Sequence, residues 1–214
     1  MISVKHLSHS EALRYLGGAN AEPDEKMLEL INDCEQQILK CLRPKFLYKA
    51  VDLPCERLVK GNDIAKHLEG CKKAVLLCAT LGADADKLIR VTQVSNLARA
   101  VVLDSFATVA IEQVCDSAEQ EIAKAFPGLY MTFRFSPGYG DYPVSLQKYF
   151  LGELDAGRKI GLSVNESYIL IPSKSVTAVI GLSENPIEKR KRGCAVCNMR
   201  GECQYRRRGE HCGF

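Results

Sequence analysis

Two stretches of this sequence combine residue types that can do chemistry. The first is Arg134-Phe-Ser-Pro-Gly-Tyr139, followed by Gly140 and Asp141. A guanidinium holds a carboxylate through two parallel charge-assisted hydrogen bonds, a glycine lets a ligand approach the bare main chain, and a tyrosine offers a flat face with a polar tip. Pro137 stiffens the bend between them. Taken by themselves, the same residues also describe a strand-ending turn with its arginine in solvent. The second stretch is Cys194-x2-Cys197-x5-Cys203-x8-Cys212, four thiols among the last 21 residues. Four soft ligands suit zinc or an iron-sulfur cluster, and the basic residues around them offset the charge of four thiolates. The spacing matches no standard zinc finger, His211 is an alternative ligand, and a flexible thiol-bearing tail is the plain alternative.

The elements that must position the first stretch follow from periodicity. Ser10–Leu16 and Pro23–Leu42 read as helices, Lys45–Leu53 as a strand, and Asn62 or Asp63 as the cap of a helix through Leu68. Ala74–Leu81 has the length of a buried strand. From Ala83 to Phe126 the apolar spacing is helical, with a break near Gln93–Asn96. Leu129–Phe135 alternates as a strand leading into the loop, Pro143 opens a helix to about Asp155, and Ser167–Ile171 with Ser175–Leu182 read as a final strand pair. Helices of unequal length between these strands, without a glycine-rich nucleotide fingerprint, predict an α+β fold rather than a doubly wound sheet. His6, His9 and His67 read as surface residues, and Glu119 and Glu121 as a solvated helix face.

Composition sets the outer bounds. The chain has 214 residues, 46% apolar and 26% charged, enough for one domain with a real core and a small appendage. Residues 188–214 hold eight Lys or Arg and three Glu, a net of +5, which leaves 21 basic and 23 acidic residues upstream. The whole-chain charge of +3 therefore belongs to the tail. This divides the sequence into a body, 1–187, and a basic Cys-rich tail, 188–214. A nucleic-acid-binding tail, with Tyr205 and Arg206–Arg208 beside a zinc knuckle, is a competing reading that the near-neutral body argues against. No apolar run approaches the roughly 20 residues that cross a bilayer, so no membrane association is expected. With charged residues across Met1–Gly18 instead of an export signal, the cysteines are expected as thiols or metal ligands in the cytoplasm, six of them (Cys34, Cys41, Cys55, Cys71, Cys78 and Cys115) in the core.

The segment Arg134–Tyr139 resembles the Arg-x-x-x-Gly-Tyr signature of the activation domain of cobalamin-dependent methionine synthase. Pro143, Gly161, Glu166-Ser167, Pro172 and Ser175-Val176 continue the match to about Pro186, and the helix carrying Asp104, Thr108 and Glu112 resembles the family's acidic helix. The resemblance implies a bent, mostly antiparallel sheet with flanking helices. It also implies that Arg134, Ser136, Gly138 and Tyr139 bind S-adenosylmethionine, with Arg134 on the methionyl carboxylate. In that family the domain presents the methyl donor to cob(II)alamin on a neighbouring domain while an electron arrives from a flavodoxin or ferredoxin. The pattern that binds the corrinoid is absent here, so cobalamin must be carried by a separate methionine synthase or corrinoid protein. Ile180-Gly181 stands where the family has an aromatic pair, and its amino-terminal acidic contact is not recognisable. The resemblance leaves two neighbouring roles open: service to methionine biosynthesis, or iron-sulfur reductive activation of another corrinoid methyltransferase.

Overall fold

The computed structural model describes residues 4–17, 23–187 and the single positions 201 and 207. The tail from 188 onward, with Cys194, Cys197, Cys203 and Cys212, otherwise lies outside the described residues.

The frame is an antiparallel sheet of four strands. β1 (Lys45–Asp52), β2 (Lys73–Thr80), β3 (Tyr130–Met131) and β6 (Ser175–Ser183) stand in the order β1-β2-β6-β3. β2 pairs along its full length, from Lys73 opposite Asp52 to Thr80 opposite Lys45 on one side, and from Lys73 opposite Leu182 to Thr80 opposite Ser175 on the other. It is buried from Ala74 onward, which is why its sequence is an unbroken apolar run rather than an alternating one. Successive side chains still part to opposite faces. Val75 and Leu77 meet α5 (Leu97–Ala125) through Ala118 and Ile122, and the same layer holds α1 (His9–Tyr15), α2 (Glu25–Cys41) and α4 (Ala83–Ser95) around Phe106 and Leu103. Leu76 and Cys78 face the other layer, built from α3 (Asn62–His67), α6 (Gln147–Leu154) and α7 (Ala156–Ile160) around Phe150, Leu58 and Tyr142.

The helix break expected near Gln93–Asn96 falls at Asn96. Its backbone is extended (φ −151°) and its side chain caps α5 by accepting from the Arg99 amide at 3.0 Å. At 29 residues, α5 runs about 43 Å along the sheet. The strand pair expected at the end of the body is corrected. β5 (Leu170–Ile171) pairs with β4 (Ser163–Val164) in a small separate sheet, while β6 lies between β2 and β3. Of the six cysteines expected in the core, Cys34, Cys78 and Cys115 are buried and Cys41, Cys55 and Cys71 are half-buried. Burial pushes the Cys78 and Cys115 thiols up to about 12, so both are inert packing groups.

Of the three histidines expected at the surface, His6 is exposed, His9 is half-buried and His67 is buried. His67 is 5% exposed, and His6 and His9 close on a single carboxylate: Glu35 lies 2.8 Å from His6 Nδ1 and 2.6 Å from His9 Nε2, and also accepts the Leu7 amide at 2.8 Å. Burial alone would raise the Glu35 carboxyl. The Leu7 amide and the two imidazoles outweigh it and hold the carboxyl below the usual carboxylate range. A depressed pKa contributes stability that is present above the unfolded value of about 4.3 and is lost as pH falls through the folded one. Hydrogen exchange should therefore show the Leu7–Leu16 amides opening as acid is added below about pH 4, before the sheet does. Glu35→Ala should open them at neutral pH, with a loss of about 1–3 kcal/mol from the orphaned Leu7 amide. Equal protection in both proteins would discount the latch.

Candidate functional site

The candidate loop begins at the edge of the sheet, and its first residue is aimed by a fault in the strand. Tyr130 and Met131 pair with Ser183 and Leu182, and the Thr132 amide donates to Gly181 O at 3.0 Å. A regular ladder would next set Phe133 opposite Ile180 and Arg134 opposite Val179. Instead Phe135 pairs with Val179, exchanging both backbone bonds at 3.0 and 2.8 Å. Two residues, Phe133 and Arg134, thus oppose one on β6, which defines a β-bulge. Thr132, Phe133 and Phe135 all turn to the α3 side, and Arg134 alone turns to α5. The seven-residue strand expected from alternation is therefore short and bulged.

On the α5 side, Arg134 meets three carboxylates. Its Nη1 donates to Asp116 at 2.8 Å and to Glu119 at 2.9 Å, and its Nη2 to Glu112 at 2.9 Å. These acids recur at i, i+4 and i+7 on one face of a helix, so their convergence is a matter of helical pitch. Burial works against the charge on Arg134, but Asp116, Glu119 and Glu112 outweigh it and keep the guanidinium firmly charged. The reading of Glu119 as a solvated carboxylate is corrected, whereas Glu121 does pair at the surface with Lys124. Farther along the same face, Lys174 Nζ lies 2.9 Å from both Asp104 and Thr108. The acidic helix singled out by sequence thus serves two cations, Glu112 binding Arg134 while Asp104 and Thr108 bind Lys174.

The loop itself is closed by its own backbone. Gly138 N donates to Tyr142 O at 2.8 Å, Tyr139 N to Ser136 O at 3.1 Å and Tyr142 N to Tyr139 O at 2.9 Å. What the loop offers a ligand is then carbonyl oxygens and open approach at Gly138, rather than the amides of Gly138 and Tyr139. Gly138 has φ +101°, and a Cβ there would meet only Val144, at 3.9 Å. Ser136 is half-buried at the start of the turn. Tyr139 is 58% exposed and stands edge-on to Phe135 at 5.9 Å. Arg134 is therefore tied to the α5 layer and Tyr139 to the opposite one, both beside the open edge next to β3.

Beneath the loop, Tyr142 is buried against Phe135 (5.8 Å between rings), and Asp141 reaches α3. The Asp141 carboxylate accepts the amides of Asn62 at 2.7 Å and Asp63 at 3.0 Å, and the Asp63 carboxylate accepts the Asp141 amide at 3.2 Å. The cap of α3 expected from Asn62 or Asp63 comes instead from 78 residues away, and Gly61 occupies the cap position. Spacing could have shown the acid trio; no local signal could have shown this reciprocal contact.

Among the described residues, no group of three or more His, Cys, Asp or Glu is arranged to hold a metal ion, and no helix is long and apolar enough to cross a membrane. No family model and no curated protein matches the sequence. The structure does have a counterpart, the MetH reactivation domain bound to AdoHcy, with a TM-score of 0.58 and 13% identity over 83% of this chain and 75% of that one. The chain has the fold of the MetH reactivation domain.

Proposed function

We propose that this chain binds S-adenosylmethionine at Arg134, Ser136, Gly138 and Tyr139 and supports reductive methylation of cob(II)alamin held by a separate methionine synthase or corrinoid protein. The observation that carries the reading is the guanidinium inside a cup of carboxylates on this fold. Three acids around one cation leave a net charge of −2, which suits a ligand that brings one carboxylate together with an ammonium and a sulfonium. Three of the five Arg134 N–H groups donate to Glu112, Asp116 and Glu119, and the proposal assigns the other two to a ligand carboxylate. Glu112 and Asp116, both partly exposed, are the natural partners of an ammonium. Gly138 gives the ligand room against the main chain and Tyr139 a ring face. When bound, the ligand supplies an activated methyl group; the protein's part is to hold and orient it at an edge where a partner can reach.

The same reading makes the tail useful. Cys194, Cys197, Cys203 and Cys212 would hold zinc or an iron-sulfur cluster, and a cluster would pass the electron arriving from a flavodoxin or ferredoxin. Iron and sulfide analysis of anaerobically prepared protein separates the two metals. The binding proposal is tested by titrating S-adenosylmethionine, and separately S-adenosylhomocysteine, into the full chain by calorimetry. One saturable site for each is expected. The absence of saturable heat with either, up to millimolar ligand, would sink the proposal.

A further inference from the structure

We infer that His67 is the positioning residue of this site: it holds the bulge that turns Arg134 toward α5. The significance for ligand binding rests on the function proposed above, whereas the geometry does not.

Every residue of the bulge except Arg134 touches this imidazole. His67 Nε2 lies 2.8 Å from Thr132 Oγ1 in a buried contact, and its ring packs edge-on to Phe133 at 4.6 Å and tilted against Phe135 at 4.9 Å. Thr132 is where the ladder fails. In a regular antiparallel pair the Gly181 amide would donate to the Thr132 carbonyl; here it donates to the Thr132 hydroxyl, at 2.7 Å. A hydroxyl oxygen that accepts this bond must direct its own proton elsewhere, and the acceptors in reach are His67 Nε2 and Phe133 O, the latter at 3.2 Å. The histidine thus completes the side-chain bond that replaces a main-chain one.

The aromatic contacts fix the rest. Side chains on consecutive residues of a regular strand point to opposite faces, and a slip of one residue exchanges all of them. Phe133 and Thr132 share the His67 side because the bulge lets them. Without it, Arg134 would stand opposite Val179 and point into the layer of Leu76 and Phe150, an apolar setting in which an unpaired charge is costly. The glycine at 181 belongs to the same device. A Cβ there would lie 2.6 Å from Cys71 Sγ and 3.0 Å from both Leu68 and Thr132, so the position that carries an aromatic residue in the resembling family is closed by the packing around His67.

The experiment reads the Arg134 guanidinium directly. In full-length protein labelled with 15N-arginine, Arg134 is assigned by the signal lost in Arg134→Lys, and its ion-paired N–H groups should give a resolved, slowly exchanging resonance. His67→Phe keeps a ring against Phe133 and Phe135 but removes Nε2; the Arg134 resonance should broaden or move to the solvent-averaged position, and affinity for S-adenosylmethionine should fall about tenfold, equivalent to about 1.4 kcal/mol. His67→Gln, whose amide reaches about as far as Nε2, should restore both. Thr132→Val breaks the same bond from the other side and should reproduce the loss if His67→Phe does not fold. An Arg134 resonance unchanged in the folded His67→Phe or Thr132→Val protein overturns the inference. Should the resonance move while wild type binds no S-adenosylmethionine, the positioning role stands and the ligand reading alone fails.

Discussion

Arg134→Ala is expected to lose about 2 kcal/mol of S-adenosylmethionine binding, or about 30-fold in affinity, because the deleted group would make charge-assisted bonds to the ligand carboxylate. The same change acts on the apoprotein. Glu112, Asp116 and Glu119 lie on successive turns of α5, and the guanidinium between them pairs with all three. Removing it leaves three like charges on one helical face, each such pair unfavourable by a few tenths of a kcal/mol. The partners are one-third to two-thirds exposed, so solvent screens them and the loss of stability should stay near 1 kcal/mol. The two effects separate in Arg134→Lys. An ammonium restores the counter-charge, so the melting temperature should return close to wild type, yet a point charge cannot replace a planar fork and affinity should remain low. Calorimetry alongside thermal unfolding reads both quantities. Equal affinity in wild type and Arg134→Ala would show that the pocket is assigned to the wrong residue, whatever the stability does.

The contrast between these variants reflects how the site is written in the sequence. The long elements were legible because each carries its period over many residues: α2, α5 and β2 lie within a residue or two of where apolar spacing puts them. Arg134 and Glu112 were legible for different reasons, one from a local motif and the other from a helical stripe. Asp116 and Glu119 complete that stripe, but a surface carboxylate and a carboxylate waiting for a guanidinium have the same sequence, and only the bulge decides between them. The bulge itself was hidden, since Leu129–Phe135 alternates well enough for a straight strand and the extra residue shows only in its pairing with β6. His67 was misread for a related cause. It sits between Lys66 and Leu68 at the end of a short helix, and its burial is set by Thr132, Phe133 and Phe135, more than 60 residues away. The separate sheet of β4 and β5 was hidden as well, because two-residue strands have no period to detect.

Gly61→Ala is expected to be strongly destabilising, through contacts that no local pattern reveals. Gly61 has φ +124° and ψ 160°, a region essentially reserved for glycine, so a side chain there costs about 1–3 kcal/mol in backbone strain. Its Cβ would also lie 2.5 Å from Asp141 Oδ1 and 2.9 Å from the Asp141 carbonyl oxygen. The carboxylate could swing aside, but only by releasing the Asn62 and Asp63 amides that it caps, and the carbonyl can move only with the loop. Overpacking of this kind adds about 1–3 kcal/mol, for a total of about 4 kcal/mol and a fall of roughly 10 °C in melting temperature for a domain of this size. Asp141→Asn separates strain from capping. It keeps the shape and weakens only the charge on the α3 amides, so it should lose about 1 kcal/mol or less. In both variants hydrogen exchange should quicken at the Gly138 and Tyr142 amides, which close the loop, while the centre of β2 stays protected. A Gly61→Ala protein that melts with wild type would mean that α3 does not anchor the loop. The turn after Arg134 would then be held by its own backbone hydrogen bonds and the buried Tyr142 ring.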